Sequence, residues 1–327
     1  MKTIGIIIPY FGKLPTFYKA WERTARENST VDFWLFTDCD IKERDNIHVV
    51  PCSFPDIRKL VQKCFDFPIS LEEPYKLCDY KPAYGKIFEK WIRNYDFWGY
   101  CDIDLLFGNI RSFFTEEVLS QFERCLYLGH ISLYKNCGKI NSLFRFYERG
   151  GYPALNYEDV FRSDESWYFD EARGMYTKCL LNQISVYTTD KMRDPMEGEP
   201  FFYWRENNRE NQFVVLWKHG KCFAVDRAGN RTELLYAHFF RRDFHVEDCS
   251  EKIEQIKVIP GKVMFNKCIE EKDFDASEPK GYKNRYRLKN LKKSVKRYGV
   301  IRTVGRQKWS KDHNRYIEKV KRRIDEK

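Results

Sequence analysis

Apolar positions open the chain in an unbroken, β-branched run, Thr3-Ile4-Gly5-Ile6-Ile7-Ile8-Pro9-Tyr10. A run without polar alternation predicts a strand covered on both faces, as in a parallel sheet. Phe11-Gly12-Lys13 turns the chain, and over Leu14 to Asn28 the residues Phe17, Trp21 and Ala25 recur at the spacing of a helix with one apolar face. Val31 to Thr37 predicts a second strand ending at Asp38, and Ile47 to Val50 a third. Ser53 supplies an N-cap for a helix whose Ile57, Leu60, Val61 and Phe65 share a face. Lys81-Pro82 opens another helix, with proline in its first position and Ile87, Phe88, Trp91 and Ile92 as the buried stripe. That helix leads to an apolar and aromatic strand that ends at Asp102.

This alternation predicts an α/β domain with a mostly parallel central sheet. Ligands of such sheets bind beyond the carboxyl ends of the strands, where Gly12, Asp38 and Asp102 fall. After Asp104 the pattern is less regular. Helices over Ser112 to Phe122 and Lys139 to Glu148 flank a strand from Cys125 to Tyr134, and a further helix is expected around Glu171 to Asn182. Short strands at Phe213 to Trp217, Cys222 to Val225 and Glu233 to His238 close the body, and no internal repeat is visible.

With 327 residues, 43% apolar and 17% aromatic, the chain can bury the core of one large domain with an appendage. The run Ile4 to Tyr10 is broken by Gly5 and Pro9 and is too short for a membrane span or a signal-peptide core, so a cytoplasmic location is expected. The 11 cysteines include no C-x-x-C pair, which favours reduced, mostly buried thiols over a disulfide framework or a zinc site. Charge divides the chain. Residues 276–327 hold 19 Lys and Arg against 5 Asp and Glu, a balance of +14, which leaves residues 1–275 at −4 out of the total of +10. Within the tail, Leu288, Leu291 and Val295 lie at helical spacing among basic residues, the pattern of a cationic amphipathic helix. The expected organisation is a body over 1–275, nucleotide-binding to about residue 110 and acceptor-binding from 111, followed by a basic helical tail over 276–327.

Three D-x-D pairs occur, at Asp38/Asp40, Asp102/Asp104 and Asp273/Asp275. Asp273/Asp275 follows no strand and is expected on a solvated surface. Asp38 follows one but precedes a charged loop, so it is cast as an acceptor for a nucleoside base or ribose. Asp102/Asp104 has apolar and aromatic neighbours on both sides. Two carboxylates there call for a cation or another charged partner, unless one of them caps the following helix. Pro9, Tyr10, Phe11 and Gly12 form a candidate nucleotide loop, since a glycine after a buried strand lets backbone N–H groups approach a ligand closely. It lacks the spacing of a P-loop. Lys81, at a helix start, is either a phosphate or nucleobase contact or a solvated lysine. Arg241 and Arg242 are candidates for a diphosphate. Asp170 and Glu171 lie beside Trp167, Tyr168 and Phe169, a mixture of carboxylates and rings that suits a sugar; Asp170 could equally cap a helix. Among the histidines, His238 has the best context, His245 is second, and His48, His130, His219 and His313 have less.

The segments Ile6 to Gly12, Phe36-Thr37-Asp38, Asp79-Tyr80-Lys81-Pro82, Tyr100 to Gly108 and Tyr236-Ala237-His238-Phe239 resemble a family of bacterial GT-A-type glycosyltransferases of capsule, O-antigen and exopolysaccharide gene clusters. The likeness covers roughly residues 1 to 245 and leaves the tail unaccounted for. It implies a Rossmann-like GT-A fold. It also implies that Asp102 contacts ribose or metal, that Asp104 ligates the metal, and that His238 completes the site. A D-x-D followed late by a histidine is also seen in retaining enzymes that use UDP-sugars. Hard oxygen donors with one imidazole suit Mn²⁺ or Mg²⁺ better than zinc. The resemblance further implies a nucleotide-sugar donor, UDP-sugar favoured, and a glycan or lipid-linked acceptor. The tail would then rest on the anionic inner face of the membrane. Two other classes compete. A nucleic-acid-binding protein would use the basic tail, but the body carries no recognised module and nucleic acid is not expected. A sugar nucleotidyltransferase would need a glycine-rich, basic N-terminal loop, which Pro9-Tyr10-Phe11-Gly12 matches poorly.

Overall fold

A computed structural model describes residues 1–147, 156–193, 213–239, 244–247 and 252–276, together with Leu288, Leu291, Lys292 and Val295. The first half alternates as the pattern predicts: β1 (Ile4–Tyr10), α1 (Tyr18–Glu27), β2 (Asp32–Thr37), β3 (Ile47–Pro51) and α2 (Phe54–Gln62). Ser53 and Asp56 close a capping box at the start of α2. Short helical turns from Pro74 to Ile92 lead to β4 (Phe97–Cys101), which is followed by β5 (Leu105–Phe107), β6 (Arg124–Cys125), β7 (Ile131–Lys135), β8 (Val186–Tyr187) and β9 (Met192–Arg193). The remainder is strand-rich: β10 (Phe213–Lys218), β11 (Lys221–Asp226), β12 (Arg231–Leu234), β13 (Tyr236–His238), β14 (His245–Val246), β15 (Gln255–Ile259) and β16 (Lys262–Phe265).

The central sheet has the order β3-β2-β1-β4-β7-β6-β8. β1 to β4 run parallel, whereas β7 is antiparallel to both of its neighbours, so the sheet is mixed. Successive residues of β1 alternate between two cores. Ile4, Ile6 and Ile8 pack with Trp21 and Ala25 of α1, and Ile7 packs with α2 and the turns before β4. A second sheet, β12-β11-β10-β15-β16-β14, is antiparallel apart from the β14/β16 pair, and it covers the Phe17 and Ala20 face of α1. The helix therefore lies between two sheets. A third, small sheet places β13 between β5 and β9. The observed class is mixed α/β with several sheets; the central one is parallel from β3 through β4, as the pattern predicts, and mixed beyond.

Several boundaries differ from the sequence pattern for local reasons. The segment expected as one strand from Cys125 to Tyr134 is a hairpin, β6 and β7, because Leu126 takes a left-handed φ of 65° and starts a loop. Glu233 to His238 divides between two sheets. The helix expected from Lys81 is three short pieces, Lys81–Ala83, Tyr84–Ile87 and Glu89–Ile92. Of the tail, Leu288, Leu291, Lys292 and Val295 are helical, with Leu288 and Leu291 exposed; its remaining residues from 277 onward lie outside the described ones. The ten cysteines among the described residues are free thiols. No helix among the described residues is long and apolar enough to cross a membrane.

Candidate metal and nucleotide site

β1 leads on to β2 and β3 on one side, and the chain then returns to place β4 on the other side of β1. That reversal opens a crevice at the carboxyl ends of β1 and β4, the usual ligand position in such sheets. Tyr10 ends β1, and Gly12, Asp102 and Asp104 follow those two ends.

Asp102 and Asp104 sit in the short bend between β4 and β5. The bend is fixed by main chain, since Asp102 N–H donates to the His130 carbonyl at 2.8 Å and Phe239 N–H donates to the Asp104 carbonyl at 2.8 Å. β13 is antiparallel to β5, with His238 opposite Leu105, and this pairing brings the late histidine to the aspartates. His238 Nε2 lies 3.3 Å from Asp104 Oδ2, and ligand atoms of Asp102, Asp104 and His238 all fall within 4.8 Å of one another. His238 is 2% exposed. The second oxygen, Asp104 Oδ1, is buried without a hydrogen-bond partner among the described residues. A buried carboxylate oxygen lacking a donor is costly, and a cation shared by the three side chains would satisfy it. Two hard carboxylates and one imidazole are a donor set that fits Mn²⁺ or Mg²⁺.

Lys81 is buried rather than solvated. It is 9% exposed, and its Nζ lies 2.8 Å from Asp102 Oδ1, 2.7 Å from the Gly129 carbonyl and 3.5 Å from Asp170 Oδ2. Two N–H bonds of the ammonium thus have acceptors inside the protein, and Asp170 stands beside it as an ion-pair partner. Burial alone would lower the Lys81 pKa, but the carboxylates of Asp102 and Asp170 raise it well above the usual lysine value. Burial raises the Asp102 carboxyl against the pull of Lys81. For Asp104 burial acts in the same sense, yet the His238 imidazole beside it leaves the carboxyl below the usual range.

Asp170 is 2% exposed, and its carboxyl is pushed up to about 6, first by burial and then by Asp79 and Asp102, with Lys81 opposing. Its loop is held from below. Asp79 accepts the backbone N–H groups of Trp167 and Phe169 at 3.0 Å each, and Lys76 Nζ pairs with Asp79 at 2.8 Å. Tyr168, between those two anchors, takes a left-handed φ of 53°, a conformation a non-glycine residue holds only where its surroundings impose it. A Cβ on Gly129 would stand 2.8 Å from Asp170 Oδ2 and 3.0 Å from Glu171 Oε1, so glycine at 129 admits both carboxylates. Tyr127 and Tyr176 stack at 4.8 Å next to this pair in the chain.

The expected nucleotide loop is braced at the same end of the sheet. Gly12, at φ 94°, donates its N–H to Asp38 Oδ1 at 2.9 Å. One Asp38 oxygen is thus committed to the loop, while the side chain stays exposed. Thr37 is buried and accepts from Cys39 N–H at 3.0 Å. Pro9, Tyr10 and Phe11 are half-buried, and Phe11 packs edge-on against Phe54 at 5.6 Å. Burial raises the Tyr10 phenol, with Cys39, Asp104 and Asp38 adding to it, which ties the loop electrostatically to the D-x-D bend.

Arg241 and Arg242 lie outside the described residues. His245 is exposed on β14, at the edge of the second sheet. Asp273 is not a surface residue. It is 3% exposed and pairs with buried Lys257 at 2.8 Å, while Asp275 is exposed beside Arg227. Sequence reasoning gave little weight to His130, whose ring lies over His238, and named no role for Asp79. A signal was present for each: Gly129-His130 between two apolar runs, and an aspartate in the helical turn that also carries Lys81.

Comparison with curated proteins gives no match to this chain. Residues 6–267 match the family described as Family of unknown function (DUF6625), and the chain belongs to that family.

Proposed function

We propose that the chain is a metal-dependent glycosyltransferase of GT-A type that moves a sugar from a nucleotide donor, a UDP-sugar by preference, to a surface-polysaccharide or lipid-linked acceptor. The observation that carries the reading is the convergence of Asp102, Asp104 and His238, from segments 136 positions apart at their extremes, at the carboxyl end of β4. The orphaned Asp104 oxygen and the braced loop after β1 support it.

When bound, Mn²⁺ or Mg²⁺ supplies positive charge that stabilises a departing nucleoside diphosphate. Asp102, Asp104 and His238 would hold the ion, and the backbone of Pro9 to Gly12 with Asp38 would receive the nucleoside. Lys81 keeps Asp102 and Asp170 in a fixed relation without itself meeting the donor. Asp170 and Glu171, beside Trp167 and Tyr168, face the sugar and its acceptor hydroxyl. Transfer with retention is favoured over inversion on the strength of the late histidine. The tail, with its balance of +14, would rest on an anionic membrane surface where lipid-linked acceptors lie.

The test is a panel of UDP-, GDP- and CMP-sugars, read by thermal shift and by nucleotide release, with and without Mn²⁺. One donor class should stabilise the protein only with metal, and Asp104→Ala should abolish that shift. Full metal-dependent donor binding by Asp104→Ala would displace the site from these residues. Release of pyrophosphate in place of a nucleoside diphosphate would make the chain a nucleotidyltransferase.

A further inference from the structure

His130 is not in the set of converging ligand atoms, yet it touches both halves of the site. Its carbonyl accepts the Asp102 N–H at 2.8 Å, which fixes the start of the D-x-D bend. Its ring lies against that of His238, with centroids 3.9 Å apart and planes at 33°. Its Nδ1 is 3.3 Å from the Tyr236 hydroxyl, which donates in turn to Met192 Sδ at 2.9 Å. A thioether has no proton to give, so the hydroxyl hydrogen is directed to Met192. His130 Nδ1 is thus held at hydrogen-bond distance from the phenol oxygen. The imidazole is pinned at one edge by a residue of β13 while its face covers another residue of the same strand.

The need for such a cover follows from the strands. β13 has three residues, β5 has three and β9 has two, so their ladders fix the path of the main chain at His238 but leave the plane of its imidazole to whatever packs on the ring. Coordination by a histidine demands a set ring plane, and outer partners commonly supply it. Among the described contacts of His238, the stack on His130 does this from one side and Asp104 from the other.

We propose that His130 is a positioning residue of the metal site: its ring sets the plane of His238 and its main-chain carbonyl sets the D-x-D bend, so that one residue aligns ligands from the β4–β5 bend and from β13. This rests on the metal-site reading given above, and the two are separable by experiment. Mn²⁺ binding to the full chain is followed by the loss of the free-ion electron paramagnetic resonance signal, and Co²⁺ substitution by its visible absorption. The wild type should bind Mn²⁺. His130→Ala should weaken binding about 10- to 100-fold, the range for loss of an outer-shell partner, and should change the Co²⁺ spectrum. His130→Phe keeps a flat ring over His238 and should recover most of the affinity. Tyr236→Phe removes only the hydroxyl that pins His130 and should fall between the two; it carries the test if His130→Ala does not fold.

Unchanged Mn²⁺ affinity and an unchanged Co²⁺ spectrum in both His130→Ala and Tyr236→Phe would overturn the proposal. So would a loss in His130→Ala that His130→Phe does not recover, since the imidazole itself would then be needed. A folded wild type that takes up no Mn²⁺ defeats the metal reading first, and the role of His130 with it.

Discussion

Asp170 should cost the protein stability at neutral pH, and Asp170→Asn should return it. The carboxyl is 2% exposed, and burial raises its pKa from 3.8 to about 6 despite the ammonium of Lys81 at 3.5 Å. A group that binds its proton more tightly in the folded state contributes stability that is complete below its unfolded pKa. That contribution is lost as pH rises through the folded value. From 3.8 to about 6 the loss is about 3 kcal/mol, using 1.36 kcal/mol per pKa unit. Asparagine has nearly the same shape and does not ionise, and its side-chain carbonyl can still accept from Lys81. Trp167 and Phe169 keep their hydrogen bonds to Asp79, so the loop is not disturbed. Urea unfolding of wild type and Asp170→Asn at intervals from pH 4 to pH 8 measures the difference directly. The variant should gain on the wild type through the interval from 4 to 6 and hold a constant advantage above it. A difference independent of pH, or one in which the variant loses ground as pH rises, would refute the reasoning, because Lys81 would then be holding Asp170 ionised. If the residue serves sugar transfer, the more stable variant should also be the less active one.

Lys81→Met leaves the buried Asp170 and the half-buried Asp102 without their ammonium, and should destabilise by about 3 kcal/mol in urea titrations, the low end for a broken buried pair because Asp102 is partly solvated. Adding Asp170→Asn should recover part of that loss, and strict additivity of the two changes would contradict the shared cluster. Gly129→Ala presses on two side-chain oxygens, whereas Gly108→Ala would put a Cβ 2.1 Å from the Leu234 carbonyl. The first should shift unfolding midpoints slightly while lowering turnover, and the second should destabilise strongly, both read from the same denaturation series. Deleting residues 276–327 removes a balance of +14 and should release the protein from anionic vesicles at low salt, since each basic residue near such a surface contributes about 1 kcal/mol. Unchanged co-sedimentation of the truncated protein would remove the membrane role of the tail.

What the sequence disclosed and what it hid divide along one physical line. Apolar periodicity reports burial of apolar side chains, so β1, β2, α1 and β4 were legible from Ile4 to Cys101, and with them the strand end that carries Asp102. Periodicity is blind where a charge is buried with its partner. β15, Gln255–Ile259, shows no unbroken apolar run because Lys257 interrupts it; the lysine is 2% exposed and neutralised by Asp273, whose polar stretch with no strand ahead of it predicts a surface position. The burial of Lys81 is hidden in the same way. At a helix start it has the pattern of a solvated cation, and its acceptors at Asp102, Gly129 and Asp170 are distant in sequence. Lys76 with Asp79 makes a third such pair. Isolated buried charges are prohibitive, so each of these lysines implies a carboxylate that must find it on folding, and the price is specificity of a kind that apolar contacts lack. Two of the three pairs surround the candidate site: Lys76–Asp79 grips the loop before Asp170, and Lys81 ties that loop to the D-x-D bend. The relation between the Asp102 side and the Asp170 side is therefore set by buried ion pairs. Substitutions in Asp79-Tyr80-Lys81-Pro82 should disturb that relation before they disturb the sheet, a difference that nucleotide-sugar turnover and far-ultraviolet dichroism would separate.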